Sequence, residues 1–208
     1  MKIGIVGLGV VGSANYAGFE MLKHEVLGHD TKFDSSIADV VPADIVFVCV
    51  PTPSFENGSC DTTIVKSVID DLNKNEYGGI IAIRSSTVPG FTKSMQELYP
   101  KQKICFVPEF VRERCALDDF VKDHQMLAIG TTDQYVFNKV KEAHGHYPKN
   151  VVQLRPTEAE ILKYKDIKES EMNRIKTKIV KQENMSVQNF NNFKNKYYKK
   201  IDELNLKI

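Results

Sequence analysis

The stretch KIGIVGLGVVGS, residues 2–13, decides the fold. Its apolar, β-favouring start predicts a buried strand, and Gly7, Gly9 and Gly12 follow in GxGxxG spacing where a helical pattern opens. The first glycine permits a tight turn, the second lets the backbone approach a pyrophosphate, and the third lets the helix pack on the strand. Backbone N–H groups and the positive end of the helix would receive the phosphates. The spacing and its context predict a dinucleotide-binding turn.

An acidic residue follows at the end of the second predicted strand. Asp30 lies about twenty residues beyond the glycines, where a carboxylate accepts hydrogen bonds from the adenosine ribose and repels a 2′-phosphate. Lys32 weakens that repulsion, but no arginine stands beside it, so NAD is favoured over NADP. We expect Asp30, Lys32, Val10 and Val11 to contact the cofactor together with the glycines. The alternative is a Rossmann-like domain that keeps the turn and a surface aspartate but binds no nucleotide.

Short apolar runs alternate with helical patterns along most of the chain. Several runs are apolar at consecutive positions, which is typical of strands that are covered on both faces of a parallel sheet. The alternation predicts an α/β fold with a doubly wound, Rossmann-like, mostly parallel sheet. The predicted strands are 2–8, 24–30, 44–50, 79–85, 103–109, 125–130 and 150–154, and the predicted helices are 11–22, 61–74, 90–98 and 132–143.

Two regions are expected along the chain. Residues 1–155 form the NAD-binding Rossmann domain, and residues 156–208 form the start of a further helix and a Lys- and Asn-rich tail, helical or disordered. Thr157 and Glu160 have the spacing of a capping box, and Pro156 suits a helix entry. The tail has few apolar residues, so we expect it to be mobile and any homodimer to be weak.

Composition argues against several classes of protein. A formal net charge of +1 gives no overall attraction to nucleic acid or to acidic membranes. No segment reaches the ~20 apolar residues of a membrane span, and the N-terminus does not have the pattern of a signal peptide. The four cysteines lack CxxC spacing, which argues against a zinc site or disulfide framework and fits the reducing cytoplasm. His144 and His146 are interpreted as loop residues, because no cluster of acidic or cysteine ligands joins them to form a metal site.

Three further loops follow predicted strands at the edge of the sheet where ligands of open α/β folds bind. VPTPSFENGSCD (50–61), RSSTVPGFT (84–92) and VPEFVRERCALDDF (107–120) combine proline with hydroxyl or charged residues, although such residues also fill ordinary turns. With the glycine loop, these segments resemble the N-terminal half of the UDP-glucose/GDP-mannose dehydrogenase family. The resemblance runs from residue 1 to about residue 164.

This resemblance implies an oxidoreductase that uses NAD to oxidise the primary alcohol of a sugar nucleotide, UDP-glucose to UDP-glucuronate being the expected type. It assigns catalysis to Thr87 nearest the reacting carbon, to Glu109 for orienting water and assisting proton transfer, and to Lys163 for stabilising an oxyanion. It further implies that the nicotinamide side is lined by Val50, Pro51, Thr52, Ser86 and Thr87, and that the UDP-sugar contacts Glu109, Phe110, Val111, Arg112 and Lys163.

The sequence departs from the family pattern after the start of the last predicted helix. Ile167 stands where the family has an asparagine that helps to hold the same oxygen, and no cysteine follows residue 165 to serve as the family's nucleophile. The expected protein is therefore a truncated or divergent dehydrogenase without the catalytic-cysteine half. One alternative is an NAD-binding module without independent activity, either regulatory or completed by a separate chain. Another is a β-hydroxyacid dehydrogenase relative, which shares the glycine loop but fits the other motifs less well.

Overall fold

A computed structural model describes residues 1–55 and 59–166. Within these residues a single sheet is flanked by helices. The strands are β1 (Lys2–Val6), β2 (Glu25–His29), β3 (Ile45–Val48), β4 (Ile80–Ile83), β5 (Lys103–Phe106), β6 (Met126–Gly130) and β7 (Asn150–Leu154). The helices are α1 (Val10–Met21), α2 (Thr63–Lys74), α3 (Phe91–Leu98), α4 (Ala116–Val121) and α5 (Gln134–His144), with 3₁₀ turns at Ile37–Val40 and Glu113–Cys115. A further helix, α6, begins at residue 156 and is described as far as residue 166.

The seven strands lie in the order β2-β1-β3-β4-β5-β6-β7. The first five of these are mutually parallel, β6 meets β5 in antiparallel fashion at Phe106 and Gly130, and β7 is parallel to β6. Because β2 lies on one side of β1 and β3 on the other, the order of the strands reverses between β1 and β3. Loops diverge at such a point and leave a crevice beyond the carboxyl ends of the strands.

Both faces of the sheet are buried by helices. On β3, Ile45 and Phe47 face one core, and the intervening Val46 and the final Val48 face the other. Helices α1, α4 and α5 supply the first core, with Phe19 among their buried residues, and α2 and α3 supply the second. A strand buried on both sides must be apolar at every position, which explains the unbroken apolar runs of the sequence.

The predicted fold class is confirmed. All seven predicted strands and all four predicted helices are present, with bounds that differ by a few residues, and the sheet is mostly parallel and covered on both faces. The helix α4 and the two 3₁₀ turns were not predicted from sequence. Their short length gives too few turns for a helical period to be recognised.

The predicted capping box at Thr157 and Glu160 is wrong. Because α6 begins at residue 156, its N-cap is Arg155, whose backbone N–H donates to the carboxylate of Glu158 at 2.9 Å. The same carboxylate also accepts from the Arg155 guanidinium at 2.8 Å. Glu160 is fully buried and binds a different part of the protein.

The chain divides into two compact units, Met1–Tyr164 and Lys165–Ile208. The first unit contains the whole sheet and the first turns of α6. The sequence-based boundary at residue 155 precedes α6, whereas the division between the units falls within it. Nearly all of the predicted polar tail, with Ile167, lies outside the described residues.

Candidate functional site

The glycine loop after β1 needs two of its glycines for reasons internal to the protein. Gly7 has a φ of +90°, and a Cβ there would lie 2.8 Å from the carbonyl carbon of Cys49, at the end of β3. A Cβ on Gly12 would lie 1.8 Å from the carbonyl oxygen of Gly7. The tight turn and the close approach of α1 to it therefore both depend on the absence of a side chain.

Gly9 differs from the other two, because a Cβ at this position would meet no protein atom within 4 Å. It is the N-cap residue of α1, makes no side-chain capping bond, and is followed by the exposed Val10 and the partly exposed Val11. No side chain of Gly9 therefore blocks the space in front of the first N–H groups of α1. This open cradle has the form that a pyrophosphate requires at a helix N-terminus, so the residues present fit a dinucleotide.

Asp30 lies beside the glycine loop and helps to shape it. Its carboxylate accepts one hydrogen bond from the backbone N–H of Leu8 at 2.7 Å and one from that of Lys32 at 2.9 Å. The Lys32 N–H, followed by that of Leu8, lowers the pKa of Asp30 below its usual value and outweighs the effect of burial. A carboxylate has about four acceptor positions, so two hydrogen bonds leave capacity for ribose hydroxyls.

The loops after β3 and β4 are joined to each other and to the glycine loop. The Ser85 hydroxyl donates to the carbonyl oxygen of Val50 at 2.7 Å, and the Cys60 thiol donates to that of Ser86 at 3.4 Å. Val50 also borders Gly7. Pro51 is exposed and Thr52 is half-buried on the same loop. The residues predicted to line the nicotinamide side thus belong to two loops that hydrogen bonds hold together.

Glu109, at the end of β5, is buried with 6% of its surface exposed. Its carboxylate accepts a hydrogen bond from the guanidinium of Arg84 at 2.7 Å and one from the side-chain amide of Asn15 at 3.3 Å. Asn15 belongs to α1 and Arg84 follows β4. The ion pair thus joins the loops after β4 and β5, and Asn15 connects the pair to α1.

Sequence reasoning missed Arg84 and His144, which extend this buried network. The side chain of Arg84 is fully buried, stacks over Phe47 with its guanidinium carbon 4.8 Å from the ring centre, and contacts the Nε2 of His144. Nδ1 of His144 donates to the carbonyl oxygen of Val140 at 2.7 Å, so Nε2 is left to accept from the guanidinium. Burial and the neighbouring Arg84 charge hold the pKa of His144 well below its usual range.

The interpretation of His144 as a loop residue was wrong. It is the last residue of α5 and is fully buried. Val136, Val140 and His144 follow one another at intervals of four, the spacing of one helix face, and this signal could have identified it. No group of three or more potential metal ligands is found among the described residues.

Helix α6 brings the three predicted catalytic residues to one region. The Nζ of Lys163 donates to the carbonyl oxygen of Glu109 at 2.6 Å and lies 5.2 Å from the ring centre of Phe110. Thr87, which is 6% exposed, donates its hydroxyl to Glu160 at 3.4 Å. Lys163 and Glu160 are three residues apart, so they share a face of α6 and bind neighbouring site loops.

The predicted sugar-nucleotide loop borders a small cavity. Glu109, Phe110, Val111 and Arg112 line a space of about 300 Å³ together with Asp119 and residues 123–126. Arg112 is held by Asp119 through a hydrogen bond from Nε at 2.9 Å and one from its backbone N–H at 2.8 Å. This pairing lowers the pKa of Asp119 and raises that of Arg112. A larger groove of about 940 Å³ between α3 and the start of α6 contains none of the predicted site residues.

The cysteines do not offer an obvious nucleophile. Burial raises the pKa of the Cys49 and Cys105 thiols to about 12, which keeps them protonated at neutral pH. The thiol of Cys60 donates to Ser86, and that of Cys115 lies 3.6 Å from both carboxylate oxygens of Asp119.

Comparison with known proteins agrees with this geometry. The family model "UDP-glucose/GDP-mannose dehydrogenase family, NAD binding domain" matches residues 30–147, which is more than half of the chain and contains the loops after β3, β4 and β5. The chain belongs to this family. The family resemblance and NAD as the cofactor are thereby confirmed. The roles of individual site residues stay predictions.

Two curated members of the family are UDP-glucose 6-dehydrogenases. TuaD of Bacillus subtilis is 27% identical over 154 residues, which cover 70% of this chain and 33% of TuaD. AglM of Haloferax volcanii is 26% identical in a match that covers 79% of this chain and 50% of AglM. The chain thus spans about a third to a half of the length of these curated relatives, as expected for the N-terminal part of the family.

A solved structure shows the same fold. The UDP-glucose dehydrogenase of the hyperthermophilic archaeon Pyrobaculum islandicum superposes with a TM-score of 0.71 at 24% sequence identity, over 78% of this chain and 48% of that protein. Within the part of the family member that the structure describes, no helix has the length and apolar character needed to cross a bilayer.

Proposed function

We propose that this family member binds NAD at the glycine loop and takes part in oxidising the primary alcohol of a UDP-sugar, UDP-glucose being the first candidate. The observation that supports this most strongly is the convergence of Thr87, Glu109 and Lys163 through contacts of α6 with the loops after β4 and β5. Ser85, two residues before Thr87, donates to the carbonyl oxygen of Val50, which in turn borders Gly7 of the glycine loop.

The cofactor half of the site is proposed to work through the backbone of the glycine loop and through Asp30. Gly9 would let the pyrophosphate approach the N-terminus of α1, and Asp30 would bind the adenosine ribose while Lys32 flanks it. Val50, Pro51, Thr52 and Ser86 would border the nicotinamide. NAD, when bound, supplies a hydride acceptor at the nicotinamide ring.

The substrate half is proposed to use residues of the loop after β5 and of α6. Phe110, Val111 and Arg112 would contact the sugar nucleotide, with the Arg112 side chain 60% exposed and anchored by Asp119. The ammonium of Lys163 would stabilise negative charge that develops on the substrate oxygen. Glu109 would orient water, and its burial against Arg84 fixes its position.

Oxidation from aldehyde to carboxylate would need a nucleophilic thiol, and the family's cysteine position lies beyond Cys115, the last cysteine of this sequence. Hydride transfer from alcohol to aldehyde does not need that thiol. We propose that the second oxidation depends on a complementing chain or further segment, with at most weak self-association of this chain. The four unpaired cysteines support a reducing compartment, and we propose the cytoplasm.

To test this proposal, the purified chain is mixed with NAD and UDP-glucose and the formation of NADH is followed by its absorbance. NAD binding is measured by calorimetry on the same preparation. NADH formation that is lost in Lys163→Met would support an active oxidoreductase. Saturable NAD binding without turnover would favour an NAD-binding module that needs a second chain. Absence of both signals would overturn the proposal.

A further inference from the structure

Glu160 has an unusual environment for an acidic residue near a helix N-terminus. It is fully buried, and four groups donate hydrogen bonds to its carboxylate. The backbone N–H groups of Gly90 and Thr92 lie 2.6 and 2.8 Å away, and the hydroxyl of Thr92 lies at 2.6 Å. The fourth donor is the Thr87 hydroxyl at 3.4 Å. Apart from the capping box that the structure contradicts, no role is assigned to Glu160 by the motifs discussed above.

The carboxylate of Glu160 caps the N-terminus of α3, which has no capping side chain of its own. Gly90 is the N-cap residue of α3, has a φ of +94°, and makes no capping bond of its own. Glu160 therefore satisfies N–H groups at the start of α3 from a separate element, α6. The same oxygen, Oε1, accepts from Thr92 and from Thr87, so one carboxylate both caps α3 and binds the Thr87 hydroxyl.

The contact also defines what the Thr87 oxygen can do. A hydroxyl has one proton and two lone pairs. A carboxylate offers no proton when ionised, so in this contact Thr87 is the donor. Its remaining capacity is as an acceptor, which suits a partner with a proton to donate, such as an alcohol or a water molecule.

We propose that Glu160 is a positioning residue for Thr87: it takes the proton of the Thr87 hydroxyl in a hydrogen bond, so that the oxygen is presented as an acceptor to the alcohol of the substrate. This inference rests on the proposed function, in which Thr87 lies nearest the reacting carbon. Glu160 itself does not touch the substrate. Through Lys163, three residues further on, the same helix holds the loop of Glu109, so α6 sets both sides of the substrate site.

The first test needs no turnover. Three-bond couplings to the Thr87 methyl group, measured by NMR on the folded chain, report whether its χ1 angle occupies one rotamer or several. We expect one rotamer in the wild type and averaging in Glu160→Gln, with no change in Thr92→Val or in Glu97→Gln, an exposed residue of α3. A single, unchanged rotamer in folded Glu160→Gln would overturn the proposal, because capping of α3 alone would not move this readout.

A second variant guards against misfolding of Glu160→Gln. Thr87→Val preserves the shape of the side chain and removes the hydroxyl. The carboxyl carbon of Glu160 is expected to shift in the ¹³C spectrum of Thr87→Val and to remain in place in Ser86→Ala. An unchanged Glu160 signal in Thr87→Val would mean that the hydroxyl does not bind it.

The third test measures turnover. If the wild type forms NADH, Glu160→Gln is expected to lower kcat about tenfold while the KM for NAD changes less than about twofold, since a hydrogen bond to a charged group near the reacting atoms is lost. An unchanged kcat would contradict the positioning role. Absence of turnover in the wild type would count against the proposed function alone, and the NMR results would then decide on Glu160.

Discussion

Arg84 and Glu109 form a buried ion pair, 2.7 Å from guanidinium to carboxylate, in which 0% and 6% of the two side chains are exposed. The pair connects the loop after β4 with the end of β5, and the amide of Asn15 joins it to α1. An ion pair in this setting stabilises a protein only as long as both partners are present, because either charge alone would be buried without compensation.

Arg84→Met is expected to lower the free energy of unfolding by about 3–5 kcal/mol, since it leaves the Glu109 carboxylate buried without its partner. Urea denaturation followed by circular dichroism measures this loss. The double variant Arg84→Met with Glu109→Gln should recover part of it. The control is Lys93→Met, whose partner Glu97 lies 3.8 Å away on the surface, and which should cost less than about 1 kcal/mol. A midpoint for Arg84→Met equal to that of the control would contradict the role of the pair.

Stability is expected to fall as the pH is lowered from about 7 to about 5. Burial lowers the pKa values of His124 and His144, and the Arg84 charge adds to this at both, while Glu109 opposes it at His124. The folded protein therefore keeps both rings neutral in a range where the unfolded chain binds protons, which favours unfolding. Each such histidine contributes up to about 1.4 kcal/mol per pH unit.

The measurement is a series of urea titrations between these pH values. His124→Phe removes a ring whose Nδ1 has no hydrogen-bond partner among the described residues, and it should reduce the slope of stability against pH by roughly half. The exposed His146 provides the control, His146→Gln, which should leave the slope unchanged. A wild-type stability that is flat over this range would show that the buried histidines are not held neutral.

Gly9→Ala is expected to separate folding from cofactor binding. Because a Cβ at Gly9 meets no protein atom within 4 Å, the variant should unfold at the wild-type temperature. The added methyl group would occupy the approach of the pyrophosphate, and NAD affinity should fall at least about tenfold, equivalent to about 1.4 kcal/mol. Gly78→Ala is the matched control, since it also adds a methyl group in open space. Equal NAD affinity in the two variants would place the phosphates elsewhere.

Much of the fold was predictable because the sheet is parallel. Strands such as β3 and β4 are buried on both faces, so their sequences are apolar without interruption, and the helices between them show their own period. The glycine loop was recognisable for a related reason: Gly7 and Gly12 are required by contacts within the loop itself. The strands, the helices and the glycine loop can therefore be predicted from short segments of the sequence.

The missed features depend on contacts between distant segments. Arg84 was interpreted as part of a polar loop, because its burial is set by Glu109 and His144, which are remote in sequence. Thr157 and Glu160 have the spacing of a capping box, as do Arg155 and Glu158, and the start of α6 two residues earlier than the first pair requires decided between them. Glu160 instead binds the start of α3, and no local sequence pattern predicts this contact.

The central claim, that the glycine loop and Asp30 form an NAD site, is tested most directly by calorimetric titration of the purified chain with NAD and, separately, with NADP. We predict saturable binding of one NAD per chain and an affinity for NADP at least about tenfold weaker, since the Asp30 carboxylate repels a 2′-phosphate. Absence of saturable NAD binding at millimolar concentration, or equal affinity for the two dinucleotides, would contradict it.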